Sequence, residues 1–97
     1  MFRDVVSLFL EDCPKMLIGI RGATERGDAR EVERAAHKMK GSVSNFAASA
    51  AYDAALRLEV MGRNGHLELA PEALGQLESA LEELKPVLLN LGKRLKS

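Results

Sequence analysis

The feature that most constrains the fold is a run of leucines in the last quarter of the chain. Seven leucines recur there at alternating steps of three and four residues: Leu74, Leu77, Leu81, Leu84, Leu88, Leu91 and Leu95. This period places them on one face of an α-helix, and other apolar side chains must cover that face. Pro71 suits the first turn of this helix, where backbone donors have no intrahelical partner.

Three upstream segments show helical periods of their own and supply the cover that the leucines need. The first contains Pro14, the second begins at Asp28 with a capping-box-like pairing to Glu31, and the third runs over about 49–61 until Gly62 and Gly65 end it. We therefore predict an all-α fold, an antiparallel up-down-up-down four-helix bundle, with a kink or break near Pro14.

Length and composition exclude several classes of protein. With 97 residues the chain has room for one small domain, which we assign to residues 1–97. Its 14 basic and 14 acidic residues balance, so we expect neither nucleic-acid binding nor membrane contact. A single cysteine, Cys13, cannot form an internal disulfide and falls on the apolar stripe of the first helix. We expect a cytoplasmic protein.

The second helix has a polar face that carries a histidine. Its core-facing positions are Val32, Ala36, Met39, Val43 and Phe46. At about 100° per residue, His37 falls roughly 140° from the centre of that stripe and therefore points to water. Glu33, Lys40, Gly41 and Ser44 lie on the same side.

Two neighbours of His37 indicate a chemical role. A glycine inside a helix costs about 0.5–1 kcal/mol relative to alanine, so Gly41 needs a reason. A side chain at position 41 would lean over the histidine, and the glycine keeps the imidazole accessible to a partner. Lys40 could balance the charge of a phosphoryl group on His37, and Ser42 and Ser44 could donate hydrogen bonds to it.

The segment Ala36-His37-Lys38-Met39-Lys40-Gly41-Ser42, followed by Asn45-Phe46-Ala47-Ala48, resembles the signature of the histidine phosphotransfer (HPt) family. The resemblance extends over nearly the whole chain and includes Gly27-Asp28 and Leu58-Glu59. The family usually has glycine where this chain has Ala47, at the turn between the second and third helices. An alanine there disfavours a left-handed backbone.

The resemblance implies a phosphorelay function. A phosphoryl group would be carried on His37 between aspartates of receiver domains, with support from Lys40 and with access through Gly41 and Ser44. The chain has no phosphate-cradling glycine-rich loop and should need no cofactor of its own, whereas the partner receiver should hold Mg²⁺. We expect the receiver to dock on the exposed face of the second helix and the adjoining part of the first, with Glu33, Arg34 and Asn45 at the rim.

Other interpretations remain open on sequence grounds. The chain could be a helical interaction module without phosphotransfer, in which the leucine stripe pairs with another chain. It could also receive phosphate directly from the catalytic domain of a histidine kinase. We favour a monomeric domain from the end of a hybrid sensor kinase over a free-standing carrier. His66 is assigned no role, and the spacing of His37, His66 and Cys13 argues against a metal site.

Overall fold

The structure is a computed structural model that describes the backbone of residues 2–46 and 48–96 and the side chains of residues 6–46 and 48–90. Its elements are the helices α1 (Phe2–Arg26), α2 (Ala29–Val43), α3 (Ser49–Asn64) and α4 (Ala70–Lys96), with a short 3-10 helix (Ser44–Phe46) after α2. Short connections make consecutive helices antiparallel, and α1 and α3 each pack against both α2 and α4. The predicted four-helix bundle is confirmed.

The interior of the bundle is formed by the stripes that the sequence predicts. From α4, Leu74, Leu77, Leu81 and Leu88 are buried, and Leu84 packs against them from a half-buried position. The predicted positions Leu91 and Leu95 lie outside the described side chains. Cys13 of α1 is fully buried and contributes to the same core. Over the described residues, the leucine face of α4 is therefore covered by other helices of the same chain.

Helix α1 continues through Pro14, so the break that was one of two expected outcomes there does not occur. A proline removes one backbone hydrogen bond, but Phe9 and Ile20 on either side are buried in the same core and hold the helix in register. Helix α4 likewise contains Pro86. Although α1 and α4 are long, none of the helices in the described part of the chain is sufficiently long and apolar to cross a membrane.

Helix α2 begins as predicted. The side chain of Asp28 accepts a hydrogen bond from the backbone N–H of Glu31 at 3.2 Å, and Gly27 supplies the left-handed backbone (φ 70°) of the preceding turn. The reciprocal half of the capping box is replaced, because the Glu31 carboxylate accepts hydrogen bonds from Arg34. Ala47, where we expected the alanine to disfavour a left-handed backbone, lies outside the described residues.

Helix α3 is longer than predicted, and the reason is a packing contact. It ends at Asn64 with Gly65 (φ 72°) as its cap, and Gly62 lies buried inside it. A β-carbon at position 62 would come within 2.5 Å of the Glu33 backbone nitrogen and 2.6 Å of the Ala29 carbonyl oxygen. The prediction that Gly62 ends the helix was wrong, because this glycine serves the close approach of α2 and α3.

Candidate functional site

The side chain of His37 stands on the outer face of α2. It is 69% exposed, whereas Val32, Ala36, Met39 and Val43 on the opposite face are fully buried. The prediction that the imidazole faces solvent is confirmed. Because α2 is anchored by a buried stripe over its whole length, the ring projects from a rigid support.

One edge of the imidazole is held by a buried carboxylate. Nδ1 of His37 lies 2.9 Å from Oε2 of Glu59, a residue of α3 that is only 4% exposed. The Lys40 ammonium bound to this carboxylate lowers the pKa of Glu59, burial raises it, and His37 lowers it again, so the net direction is downward. An ionised carboxylate can only accept a hydrogen bond, so in the neutral imidazole Nδ1 donates and Nε2 keeps the free lone pair.

Two cations share the same carboxylate. Nζ of Lys40 lies 2.7 Å from Oε1 of Glu59 and 6.0 Å from the centre of the Tyr52 ring, and the lysine side chain is 20% exposed. Nη2 of Arg63 lies 3.1 Å from Oε2 of Glu59, and Nε of Arg63 lies 3.1 Å from Oε2 of Glu33. The structure therefore places His37 beside a network of two acids and two bases whose charges cancel.

The structure gives the predicted access residues, Gly41 and Ser44, different surroundings. A β-carbon built on Gly41 would meet no atom of the fold within 4 Å, so internal packing does not explain the glycine. The hydroxyl of Ser44 donates to the carbonyl oxygen of Gly41 at 2.7 Å and so closes the end of α2. Ser42 contacts the sulfur of Met16 at 3.8 Å. Neither serine contacts His37 in this arrangement.

The three predicted docking residues fall on two sides of His37. Glu33 lies on the α3 side, in the ion pair with Arg63. Arg34 lies on the α1 side, paired with Glu31 at 2.8 Å, and it lines a groove between α1 and α2. Asn45 lines an adjoining hollow farther along the same two helices.

A groove between α1 and α2 borders the exposed face of α2. Its main part has a volume of about 350 Å³ and the adjoining hollow about 150 Å³, and the two share Asp12 and Met16. The main part is lined by Asp12, Lys15, Met16, Gly19, Glu31, Arg34, Ala35 and Lys38. A shallow, elongated depression of this kind suits a helix or loop of another protein better than a small metabolite.

Sequence reasoning missed the part that α3 plays in the site. Glu59 enters the sequence argument only as half of a Leu58-Glu59 pair within the family resemblance, and Arg63 lies beyond Gly62, the residue predicted to end the third helix. A signal for Glu59 was present, since this acid falls among the buried positions of α3, between Ala55 and Gly62. An acid in such a position requires partners, and the structure supplies three of them. No three histidine, cysteine or acidic residues among the described side chains form a metal-binding group.

Comparison with known proteins identifies the family. No curated protein matches the chain by sequence. The chain is similar to the crystal structure of histidine-containing phosphotransfer protein B (HptB) from Pseudomonas aeruginosa PAO1, with a TM-score of 0.91 and 26% sequence identity. The match covers 96% of this chain and 81% of HptB. The family model for the Hpt domain matches residues 4–86. The chain therefore belongs to the Hpt domain family, the histidine phosphotransfer domains of two-component phosphorelays.

Proposed function

We propose that His37 is the residue that carries the phosphoryl group, and that it does so on Nε2. The observation that carries this proposal is the orientation of the ring, which is exposed to solvent while Nδ1 is bound to a buried carboxylate. The other histidine whose side chain is described, His66, is also exposed, but it stands in the α3–α4 loop about 4.0 Å from an exposed Glu68. Only His37 combines exposure with an oriented ring.

The proposed transfer follows from this arrangement. The lone pair of Nε2 attacks the phosphorus of an aspartyl phosphate on a receiver domain, the Nε2–P bond forms, and the P–O bond to the aspartate breaks with release of its carboxylate. The ring becomes positively charged because Nδ1 still holds its proton. The Glu59 carboxylate stabilises that charge, as a carboxylate does for other catalytic imidazoles.

The added phosphoryl group brings about two negative charges to the exposed face of α2. We assign Lys40 to balance part of this charge, with Gly41 leaving the approach open and Ser44 available at the end of the helix. Mg²⁺ is expected in the acidic pocket of the receiver, where it would stabilise the transferring group. The assignment of Lys40 rests on its contact with Glu59, the carboxylate that also binds His37, and those of Gly41 and Ser44 rest on their positions along α2.

We further propose that the receiver docks over α2 and the groove towards α1. On the α3 side of His37 the charges are already paired with one another. On the α1 side the groove offers Met16, Gly19 and Ala35 as an apolar floor, with Arg34 at its edge. A partner gains more by covering the α1 side, because the described ion pair there, between Arg34 and Glu31, joins two neighbours on α2 and leaves the apolar floor of the groove uncovered.

The context of the domain is part of the same proposal. We infer a monomer, because the described leucines of the α4 stripe, Leu74, Leu77, Leu81, Leu84 and Leu88, are used inside the bundle and leave no part of that stripe for a second chain. We place the domain in the cytoplasm, in keeping with the free buried thiol of Cys13, and at the end of a hybrid sensor kinase.

Transfer of acid-labile phosphate tests this function. A panel of receiver domains is phosphorylated with acetyl phosphate, freed of the donor, and mixed with the chain without ATP. We expect label on the wild type and on the control variant His66→Gln, and none on His37→Gln. Label that persists on His37→Gln would refute the assignment. Label that reaches the wild type only from a histidine kinase catalytic domain with ATP would instead support the direct-kinase alternative.

A further inference from the structure

Arg63 and His37 meet at one oxygen atom. Nη2 of Arg63 is 3.1 Å from Oε2 of Glu59, and Nδ1 of His37 is 2.9 Å from the same oxygen. The separation between Nη2 of Arg63 and Nδ1 of His37 therefore cannot exceed the sum of these two distances. Arg63 belongs to α3, so this cation approaches the exposed face of α2, which carries His37, from the neighbouring helix.

The two cations at Glu59 differ in their freedom to move. The Lys40 side chain is 20% exposed and lies over Tyr52, whereas the Arg63 side chain is 56% exposed. The second contact of Arg63 is with Glu33, an exposed ion pair, and such pairs contribute little to stability. Arg63 can leave Glu33 at small cost while its backbone stays fixed in α3.

Charge balance requires more than Lys40 once the histidine is phosphorylated. Before transfer, the carboxylates of Glu33 and Glu59 are matched by Lys40 and Arg63, so the network is neutral. The phosphoryl group adds about two negative charges beside these carboxylates, and the positive charge that the ring gains offsets only about one of them. The remaining repulsion is reduced where the cations turn from the carboxylates towards the phosphoryl oxygens, and a guanidinium fits such oxygens with two parallel donors.

We propose that Arg63 is a second phosphate-binding side chain of this domain, which exchanges its contact with Glu33 for a contact with the phosphoryl group on His37. The inference rests on the proposed function, because it requires the phosphoryl group to be on His37. It goes beyond that function by adding a cation from α3 to the Lys40 of α2. Glu33 then acts as the resting partner of Arg63, and its proposed place at the docking rim becomes secondary.

The test compares Arg63→Gln and Arg63→Lys with Arg57→Gln, which removes an equal charge from the opposite side of α3, where Arg57 contacts Gln76 of α4. Each protein is loaded with phosphate from an acetyl-phosphate-treated receiver. The ³¹P resonance of the phosphohistidine is then titrated with pH, and the equilibrium between phosphoreceiver and phosphohistidine is measured. Circular dichroism confirms that each variant is folded.

We expect Arg63→Gln to move the phosphoryl titration to higher pH and to reduce the phosphohistidine at equilibrium by about three- to tenfold, since one charge-assisted hydrogen bond is lost. Arg63→Lys should recover part of this loss, and Arg57→Gln should behave as the wild type. A phosphoryl titration in Arg63→Gln that matches the wild type would overturn the inference, even if the imidazole titration of the unphosphorylated protein shifts. A wild type that accepts no phosphate would overturn the proposed function itself.

Discussion

Nδ1 of His37 lies 2.9 Å from Oε2 of Glu59, and this contact joins the exposed face of α2 to a buried acid of α3. The two residues are 22 positions apart in the sequence. The hydrogen bond fixes the rotation of the imidazole and the position of its proton. It leaves Nε2 as the ring atom that faces outward with a lone pair, which is the property that a phosphoryl acceptor needs.

Replacing Glu59 by glutamine tests the contribution of the carboxylate charge. The amide oxygen of Glu59→Gln can still accept the Nδ1 proton, but it no longer stabilises the positive charge that the ring gains on attack. We expect phosphotransfer from a phosphorylated receiver to slow by about tenfold, measured in single-turnover experiments. Glu78→Gln is the matched control, since Glu78 pairs with Arg21 between α4 and α1. Equal rates for Glu59→Gln and the control would show that the charge has no part in transfer.

Glu59 also makes the stability of the fold depend on pH. Lys40 and His37 lower the pKa of Glu59 below its ordinary value of 4.5, against the opposing effect of burial. A lowered pKa in the folded state stabilises the protein above the unfolded-state value, and this stability is lost as the pH falls through the folded-state value. In urea titrations between about pH 6 and pH 3, we expect the wild type to lose more stability than Glu59→Gln. Parallel losses in the two proteins would contradict this.

The fold and half of the site could be predicted from the sequence. The leucine stripe and its three partner stripes determine a four-helix bundle, and the angle between His37 and Val32 around α2 is a property of one helix. The contact between His37 and Glu59 depends instead on how α3 is rotated and how close it comes to α2. The distance between α2 and α3 is set by Gly62. The sequence suggests that this glycine ends the helix, whereas in the fold it allows the two helices to pack closely.

Substitution of Gly62 by alanine should therefore destabilise the protein. The added methyl group would lie 2.5 Å from the Glu33 nitrogen and 2.6 Å from the Ala29 oxygen, and backbone atoms cannot yield as a flexible side chain would. We expect a loss of about 2–3 kcal/mol in the free energy of unfolding, measured with urea. Gly75→Ala is the control, because a β-carbon there meets nothing within 4 Å. A Gly62→Ala protein as stable as wild type would show that α2 and α3 are not in close contact.

At Gly41, in contrast to Gly62, a substitution by alanine should stabilise the fold and impair phosphotransfer. A β-carbon at position 41 also meets nothing within 4 Å, so Gly41→Ala should stabilise α2 by about 0.5–1 kcal/mol, as Gly75→Ala should stabilise α4. Only the change at position 41 should slow transfer from a receiver, and Gly41→Leu should slow it further, because the side chain occupies the space that the partner needs. If Gly41→Leu exchanges phosphate at the wild-type rate, the glycine does not serve access.

The groove between α1 and α2 carries charges that are available to a partner. Lys15 and Lys38 line it, and neither has an ion-pair partner among the described residues. Arg34 is neutralised by Glu31, and Asp12 is the remaining acid of the lining. Because the two lysines outweigh Asp12, we expect the proposed docking groove to favour a receiver surface that presents carboxylates beside an apolar ridge.

The double variant Lys15→Gln/Lys38→Gln should weaken docking more than it affects the chemical step. We expect the KM for a phosphorylated receiver to rise by about three- to tenfold, while the maximal transfer rate changes less, since the lysines act on encounter. The KM of the wild type should also rise with salt, and that of the variant should rise less. Arg57→Gln/Lys85→Gln, which removes two charges away from the groove, serves as the control. If both double variants raise KM equally, the effect reflects the net charge of the protein, and the groove is not where the receiver binds.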